Sequence, residues 1–270
     1  KSVQYLSGLS IEGIADAAVY LLEERGYKVI KEINIENSTY DISGLFIRTY
    51  TMVSANYLSQ FPNLKYIIRA GVGLDNVDVP ECDRRHVSIY NSPGANSDSV
   101  SEYVLCVALY MLRQIEPQRQ QVMSGNWREI KYMGKGISGQ TFGFVGCGNA
   151  GRSLSAKISN LGVSCLGYDP YVDTSTMNTI GIKKSTLEQV MELSDVVVVM
   201  LPLTPETNNL IDLDKLNMMK KGSIMINVSR GEVVDEVGVA KLVKKGHIKA
   251  VLDVVRDEPY VNPALLNIEN

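Results

Sequence analysis

Apolar residues recur along this chain in two rhythms, short continuous runs and stretches with helical spacing. Runs at 3–6, 27–33, 44–47, 64–68 and 87–90 read as strands, and 11–25 as an amphipathic helix stopped by Gly26. A short helix at 53–60 stands between two of them. Asn91-Ser92-Pro93-Gly94 is the strongest break in the chain and reads as a hinge. Beyond it, 97–115 reads as one long helix capped by Ser97 or Asp98, with Val100, Val104, Leu105, Ala108 and Leu112 on its apolar face. Alternation then continues: strand 141–145, helix 152–161, strand 163–168, helix 185–193, strand 196–201, helix 212–219, strand 223–228, helix 235–245 and strand 250–254. Strands separated by helices of this length need right-handed crossovers and give parallel sheets. The expected fold class is α/β.

Composition narrows the partners. A chain of 270 residues with a formal charge of −3 carries no basic run suited to nucleic acid or an anionic membrane. Lys220-Lys221 and Lys244-Lys245 fall near the ends of expected helices, where cations suit the dipole. Cys82, Cys106, Cys147 and Cys165 form no Cys-x-x-Cys pair and no ligand-like spacing with the two histidines. A reduced, cytoplasmic protein without a metal site is the expectation. No apolar run approaches membrane-spanning length, and 196–201 reads as a buried parallel strand. No signal-peptide pattern stands at the start, which is Lys1 instead of methionine, so residues upstream are expected.

The most informative stretch is Gly146-Cys147-Gly148-Asn149-Ala150-Gly151, which follows a strand-like run, opens a helix and precedes Asp169 at the end of the next strand. Gly146 suits a tight turn, Gly148 a close approach of backbone to pyrophosphate, and Gly151 close packing of helix on strand. The helix N-terminus at Asn149 and Ala150 offers N–H groups and a positive dipole end to phosphates. Asp169 can accept from a ribose diol and would repel a 2′-phosphate, so NAD is expected in preference to NADP. Ligands of such sheets lie at the carboxyl ends of the strands, which directs attention to the segments 69–76, 201–207, 227–231 and 253–259. Glycines in the first of these could turn N–H groups toward an anion.

These segments carry a family resemblance. Arg48-Thr49-Tyr50-Thr51, the 69–78 loop, Ser92-Pro93-Gly94-Ala95-Asn96, the glycine fingerprint, 201–207, Asn227-x-x-Arg230-Gly231-x-x-x-Asp235-Glu236 and Asp253-Val254-x-x-x-Glu258-Pro259 together resemble the D-isomer-specific 2-hydroxyacid dehydrogenases. The resemblance implies a flavodoxin-like substrate domain at 1–92 and a Rossmann NAD domain at 93–270, with the cleft between them. It also implies a homodimer formed through the NAD domain with help from the 97–115 helix. Arg230 matches the arginine that binds the carboxylate and carbonyl of a 2-oxo acid, a task for a planar, permanently charged fork. The same charge would stabilise a carbonyl oxygen turning anionic as hydride arrives. Glu258 matches the acid that pairs with a catalytic histidine and keeps it protonated. Asp253 matches a contact to the nicotinamide carboxamide. Pro202, Thr207, Val228 and Ser229 fall among the cofactor-lining positions, and Val72, Gly73 and Asn96 among the substrate-binding ones.

The family's general-acid histidine belongs to a His-x-x-Gly segment expected just beyond Asn270. His86 and His247 are not substitutes: the first precedes a strand, and the second lies in a turn entering one. Two functional classes follow, an NAD-dependent dehydrogenase continued past this sequence, or an NAD(H)-binding sensor or partner module with impaired catalysis. Retention of Arg230 and Glu258 favours the enzyme. Within the family, the stretches are most similar to the 3-phosphoglycerate dehydrogenase branch, in which the arginine matching Arg48 binds the substrate phosphate. Arg48 equally suits a structural role at a strand end. Glu129, within Arg128-Glu129-Ile130-Lys131, replaces a basic residue of that branch and would weaken a phosphate site if it pointed inward.

Overall fold

A computed structural model describes residues 8–10, 15–30, 42–48, 51–127, 129–266 and 268. Packing divides the chain into two compact units, Lys1–Asn96 and Ser97–Asn270. Both are α/β with wholly parallel sheets, as the alternation of runs requires.

The first unit is built on β1 (Gly8–Ser10), β2 (Val29–Ile30), β3 (Gly44–Ile47), β4 (Tyr66–Arg69) and β5 (Ser88–Tyr90), in the flavodoxin-type order β2-β1-β3-β4-β5. Leu45 and Ile67, both fully buried, are register partners at its centre, and Ile42, Ile47, Leu58 and Phe61 pack in the same core. The helices are α1 (Asp16–Glu24), α2 (Ala55–Leu58) and α3 (Val79–Arg84). α1 ends as expected at Gly26, whose φ of 83° is the left-handed C′ geometry. The expected strand 3–6, residues 11–14 of the first helix and 31–33 of the second strand lie outside the described residues. Arg69, expected to open a loop, is instead the buried last residue of β4, because pairing with Ile47 extends that strand.

The second unit holds β6 (Thr141–Val145), β7 (Ser164–Tyr168), β8 (Lys183–Lys184), β9 (Val196–Val199), β10 (Ile224–Asn227) and β11 (Lys249–Leu252), in the order β11-β10-β9-β6-β7-β8. This is the doubly wound nucleotide-binding order, and it reverses between β6 and β9. All of β9 is buried: Val196 and Val198 face one apolar cluster, Val197 and Val199 the other. A continuous valine run therefore marks the centre of a sheet covered on both faces.

The helix expected at 97–115 is α4 (Ser97–Leu112), and a further, unexpected helix, α5 (Ile115–Met123), follows it after Gln114, which is left-handed at φ 51°. Pro117 explains the break, since it has no N–H for the Arg113 carbonyl and would clash with it in a continuous helix. The Gln118 side chain donates to that carbonyl instead, at 2.6 Å. The remaining helices are α6 (Asn149–Ile158), α7 (Thr174–Thr179), α8 (Leu187–Leu193), α9 (Leu213–Met218) and α10 (Glu236–Lys244).

Candidate cofactor and active site

The turn after β6 sits at the point where the strand order reverses. Gly146 has φ 99°, donates to the Tyr168 carbonyl at 2.9 Å, and has no room for a side chain: a Cβ there would stand 2.6 Å from the Met200 oxygen. Gly151 seats the first turn of α6 on that same loop, since its Cβ would fall 2.9 Å from the Gly146 oxygen. At Gly148 nothing lies within 4 Å of a would-be Cβ. Gly148 is also the N-cap of α6 and, having no side chain, cannot cap it, so the exposed Asn149 and half-buried Ala150 begin a helix whose first N–H groups have no acceptor within the helix. The helix end is held from behind, where Ser153 Oγ donates to Asp98 of α4 at 2.7 Å and shares a 2.9 Å bond with Ser101.

Asp169 closes the other side of the turn. Its carboxylate is buried and accepts from the Cys147 N–H and the Tyr171 N–H, each at 2.9 Å. This pins the carboxylate at the end of β7, beside a cavity of about 640 Å³ lined by Tyr168, Asp169, Pro170, Ser185, Thr186 and Leu210. Two lysines also line it, but both ammonium groups are engaged: Lys184 donates to the Val172 carbonyl at 2.6 Å and Lys215 to Asp212 at 2.9 Å. An acid at the rim and committed lysines suit an unphosphorylated ribose. The residues present thus fit NAD. Burial, and then the nearby Asp169, push the Cys147 thiol up to about 12. Iodoacetamide near about pH 8 is therefore expected to leave Cys147 unlabelled until the protein is denatured; peptide mass mapping that found early labelling would refute this closed turn.

Three further loops follow β9, β10 and β11. In the first, Thr207 Oγ1 donates to the Pro202 carbonyl and accepts from the Thr204 N–H, both at 2.7 Å, which folds 202–207 into a closed turn with Pro202 exposed. In the second, the buried Asn227 ties the loop together. Its Oδ1 accepts from the Ser229 N–H at 3.1 Å and the Ser229 hydroxyl at 2.7 Å, and its Nδ2 donates to the Arg230 carbonyl at 3.0 Å. Val228 and Arg230 remain half-buried, and Arg230 Nη1 donates to the Ser229 carbonyl at 2.7 Å. In the third, the Asp253 N–H donates to the Asn227 carbonyl at 3.0 Å, which carries the β10–β11 pairing one step further. Asp253 and Glu258 are exposed, and Glu258 Oε1 accepts from the Val255 N–H at 3.2 Å. The Tyr103 phenol of α4 is pushed up by burial and by the nearby Asp253 carboxylate. The fingerprint, Arg230, Asp253 and Glu258 therefore all belong to one edge of one sheet.

In the first unit, Asn76 Nδ2 donates to the carbonyls of Arg48 and Thr51, each at 2.8 Å, and joins the end of β3 to the loop after β4. Asn91 Nδ2 donates to the Val72 carbonyl at 2.7 Å, and the Ser92 N–H to the Gly71 carbonyl at 2.9 Å. Arg48, Val72 and Asn96 are exposed and Gly73 half-buried. Thr49 and Tyr50 lie outside the described residues.

A scan against family models matches residues 105–270 to "D-isomer specific 2-hydroxyacid dehydrogenase, NAD binding domain". The chain belongs to this family. Among curated proteins it is 37% identical over 229 residues to the D-3-phosphoglycerate dehydrogenase of Mycobacterium leprae, covering 84% of this chain and 43% of that protein. It is 30% identical over 256 residues to the human D-3-phosphoglycerate dehydrogenase, covering 93% and 48%. The chain thus spans less than half the length of these relatives. Among solved structures, a glyoxylate reductase from Paecilomyes thermophila superposes with a TM-score of 0.85 at 24% identity, over 97% of this chain and 85% of that one. The D-lactate dehydrogenase of Aquifex aeolicus, solved with NAD and lactic acid, gives 0.85 at 21% identity, over 96% and 82%. Both structures support the fold. Membership brings with it an NAD-binding domain, and NAD is the cofactor.

Neither histidine joins the family's residues. His86 is exposed, with φ 57°, at the amino end of β5. His247 lies 3.0 Å from the Met219 carbonyl at the amino end of β11, the edge of the sheet opposite the Arg230 loop. Among the described residues no group of three or more His, Cys, Asp or Glu could hold a metal ion. Among the described residues no helix is long and apolar enough to cross a membrane. Asn76, Asn227 and Glu236 lie inside the family's segments, yet nothing in their sequence context marks the backbone groups that they hold.

Proposed function

We propose that this chain belongs to an NAD-dependent dehydrogenase that interconverts a D-2-hydroxy acid and its 2-oxo acid, with D-3-phosphoglycerate as the favoured substrate. The observation that supports it most is the Asn227 knot, which fixes the Arg230 loop against the segment carrying Asp253 and Glu258, at the sheet edge that also carries the dinucleotide turn. NAD when bound supplies the hydride acceptor or donor. Gly146, Gly148, Asn149, Ala150 and Gly151 would receive its pyrophosphate, and Asp169 its ribose. Pro202, Thr207, Val228, Ser229 and Asp253 would line its nicotinamide half. Arg230 would grip the substrate carboxylate and stabilise the carbonyl oxygen as charge develops. Glu258 would hold the family's histidine protonated for the new hydroxyl. Val72, Gly73 and Asn96 would receive the substrate carboxylate, and Arg48 its phosphate.

A homodimer through the second unit is part of this reading. Ile115, Val122, Met123, Trp127, Ile130 and Met133 are all exposed along α5 and the segment after it, more apolar surface than a solvated helix needs. Four free cysteines, two of them buried, are in keeping with a reducing, cytoplasmic setting.

The test is NADH oxidation by the full-length protein against phosphohydroxypyruvate, glyoxylate and pyruvate, for wild type and Arg48→Ala. Wild type is expected to prefer phosphohydroxypyruvate. Arg48→Ala is expected to lose about 10²-fold in kcat/KM for that substrate and less than about threefold for the other two. An equal loss on all three would leave Arg48 a structural residue and remove phosphate from the substrate. Failure of wild type to turn over any 2-oxo acid would overturn the enzyme reading.

A further inference from the structure

Glu236 opens α10, whose N-cap is Asp235, accepting from the Gly238 N–H at 3.0 Å. An acid in the first turn of a helix ordinarily faces water and gains from the dipole. Glu236 does not: it is 3% exposed. Its Oε1 accepts the backbone N–H of Arg256, and its Oε2 accepts no hydrogen bond among the described residues. A buried carboxylate with one oxygen unsatisfied destabilises a fold relative to a neutral residue of the same shape, so stability does not account for it.

What the carboxylate holds does account for it. The Val255–Arg256 peptide is pressed against Gly231, where a Cβ would stand 2.0 Å from the Arg256 nitrogen and 2.1 Å from the Val255 carbonyl carbon. Arg256 Nη2 donates to the Glu232 carbonyl at 3.2 Å, which closes the contact on a second side. Two successive N–H groups then serve two carboxylates: Val255 donates to the exposed Glu258, and Arg256 to the buried Glu236. The Val255 N–H lies in the 254–255 peptide and the Arg256 N–H in the next one, so the two carboxylates hold adjacent peptides that share the Val255 Cα. A charge-assisted bond to a backbone N–H is the strongest restraint available at that point, and it comes from the helix that directly follows the Arg230 loop.

We propose that Glu236 is a positioning residue, which fixes the Glu258 carboxylate relative to Arg230 by holding the peptide between them. This rests on the functional reading above. It acts through Glu258 and touches neither substrate nor cofactor.

The experiment uses the full-length protein with Glu236→Ala, Glu236→Asp and Glu236→Gln, each alone and with Glu258→Gln. Kinetics, NADH affinity by fluorescence titration and amide exchange are read together. Glu236→Asp keeps the charge but falls one methylene short, so it is expected to match Glu236→Ala and guards against a variant that fails to fold. Both should lower kcat by about 10- to 100-fold with NADH affinity unchanged within about twofold. Glu236→Gln, which keeps an acceptor at Oε1, should recover most of that loss. In the Glu258→Gln background the same substitutions should cost less than about twofold more, the signature of two residues acting as one. Amides of Val255 and Arg256 should exchange at least about tenfold faster, while those of β10 do not change. Additive losses, losses that track NADH affinity, or unchanged exchange at 255–256 would overturn the proposal. If Glu258→Gln alone leaves kcat intact, the catalytic reading of Glu258 fails. Exchange at 255–256 then decides separately whether Glu236 restrains the peptide.

Discussion

Arg230→Ala in the full-length protein is expected to lower kcat/KM for 2-oxo acids by about 10³-fold, roughly 4 kcal/mol of transition-state stabilisation, with NADH affinity nearly unchanged. The asymmetry follows from where the side chain stands. Asn227 holds the Arg230 backbone, so the loop keeps its shape when the guanidinium is removed. What disappears is a half-buried fork aimed from a loop that is otherwise closed on itself. Arg230→Lys is the more searching variant. It keeps the charge but not the two parallel donors, and a single ammonium cannot serve a carboxylate and a carbonyl at fixed separation. A loss of about 10²-fold is expected, mostly in kcat. Steady-state kinetics with a fluorescence titration of NADH decides the matter; a lysine variant with wild-type kcat would mean that Arg230 contributes only charge, or lies outside the reaction.

The legible part of this molecule was the part written in one segment at a time. The valine run of β9 announced a strand buried on both faces. The spacing from Gly151 to Asp169 announced a strand, turn, helix and strand in sequence. Local signals that lay in plain view were also missed. Pro117 marks the end of α4, and Asp78-Val79-Pro80-Glu81 is a capped helix start with proline in its first turn, the beginning of α3. The elements between Asp169 and Thr186 failed for the opposite reason. α7 is a polar helix with only Met177 buried, and β8 is two lysines, so neither carries an apolar rhythm. Glu236 was out of reach altogether. Its burial depends on a peptide twenty residues later in the chain, at 255–256, arriving against Gly231. The Asn76 and Asn227 amides are similar: their motifs were visible, but the carbonyls they hold are set by tertiary packing.

Gly146 and Gly148 stand two residues apart in the same fingerprint, and their substitutions are expected to fail in different ways. Gly146→Ala puts a Cβ against the Met200 carbonyl in a left-handed backbone, and that carbonyl belongs to the segment leaving β9. Backbone cannot yield cheaply there, so the variant should lose about 3 kcal/mol or more of stability, with NADH binding lost alongside it. Gly148 is different. Its φ of −71° is open to alanine, and the added Cβ meets nothing in the free protein. Loss of glycine at the N-cap costs about 1 kcal/mol, a melting shift of about 2–4 °C for a unit of this size. The space the methyl occupies is nonetheless where a pyrophosphate must approach the helix end. Gly148→Ala should therefore weaken NADH by about 10²-fold, roughly 2.7 kcal/mol, in a protein that remains folded. Thermal melts and NADH titrations on the two variants separate the roles. If Gly148→Ala binds NADH as wild type does, the open space at the head of α6 is not the phosphate site, and the cofactor must lie differently on this sheet.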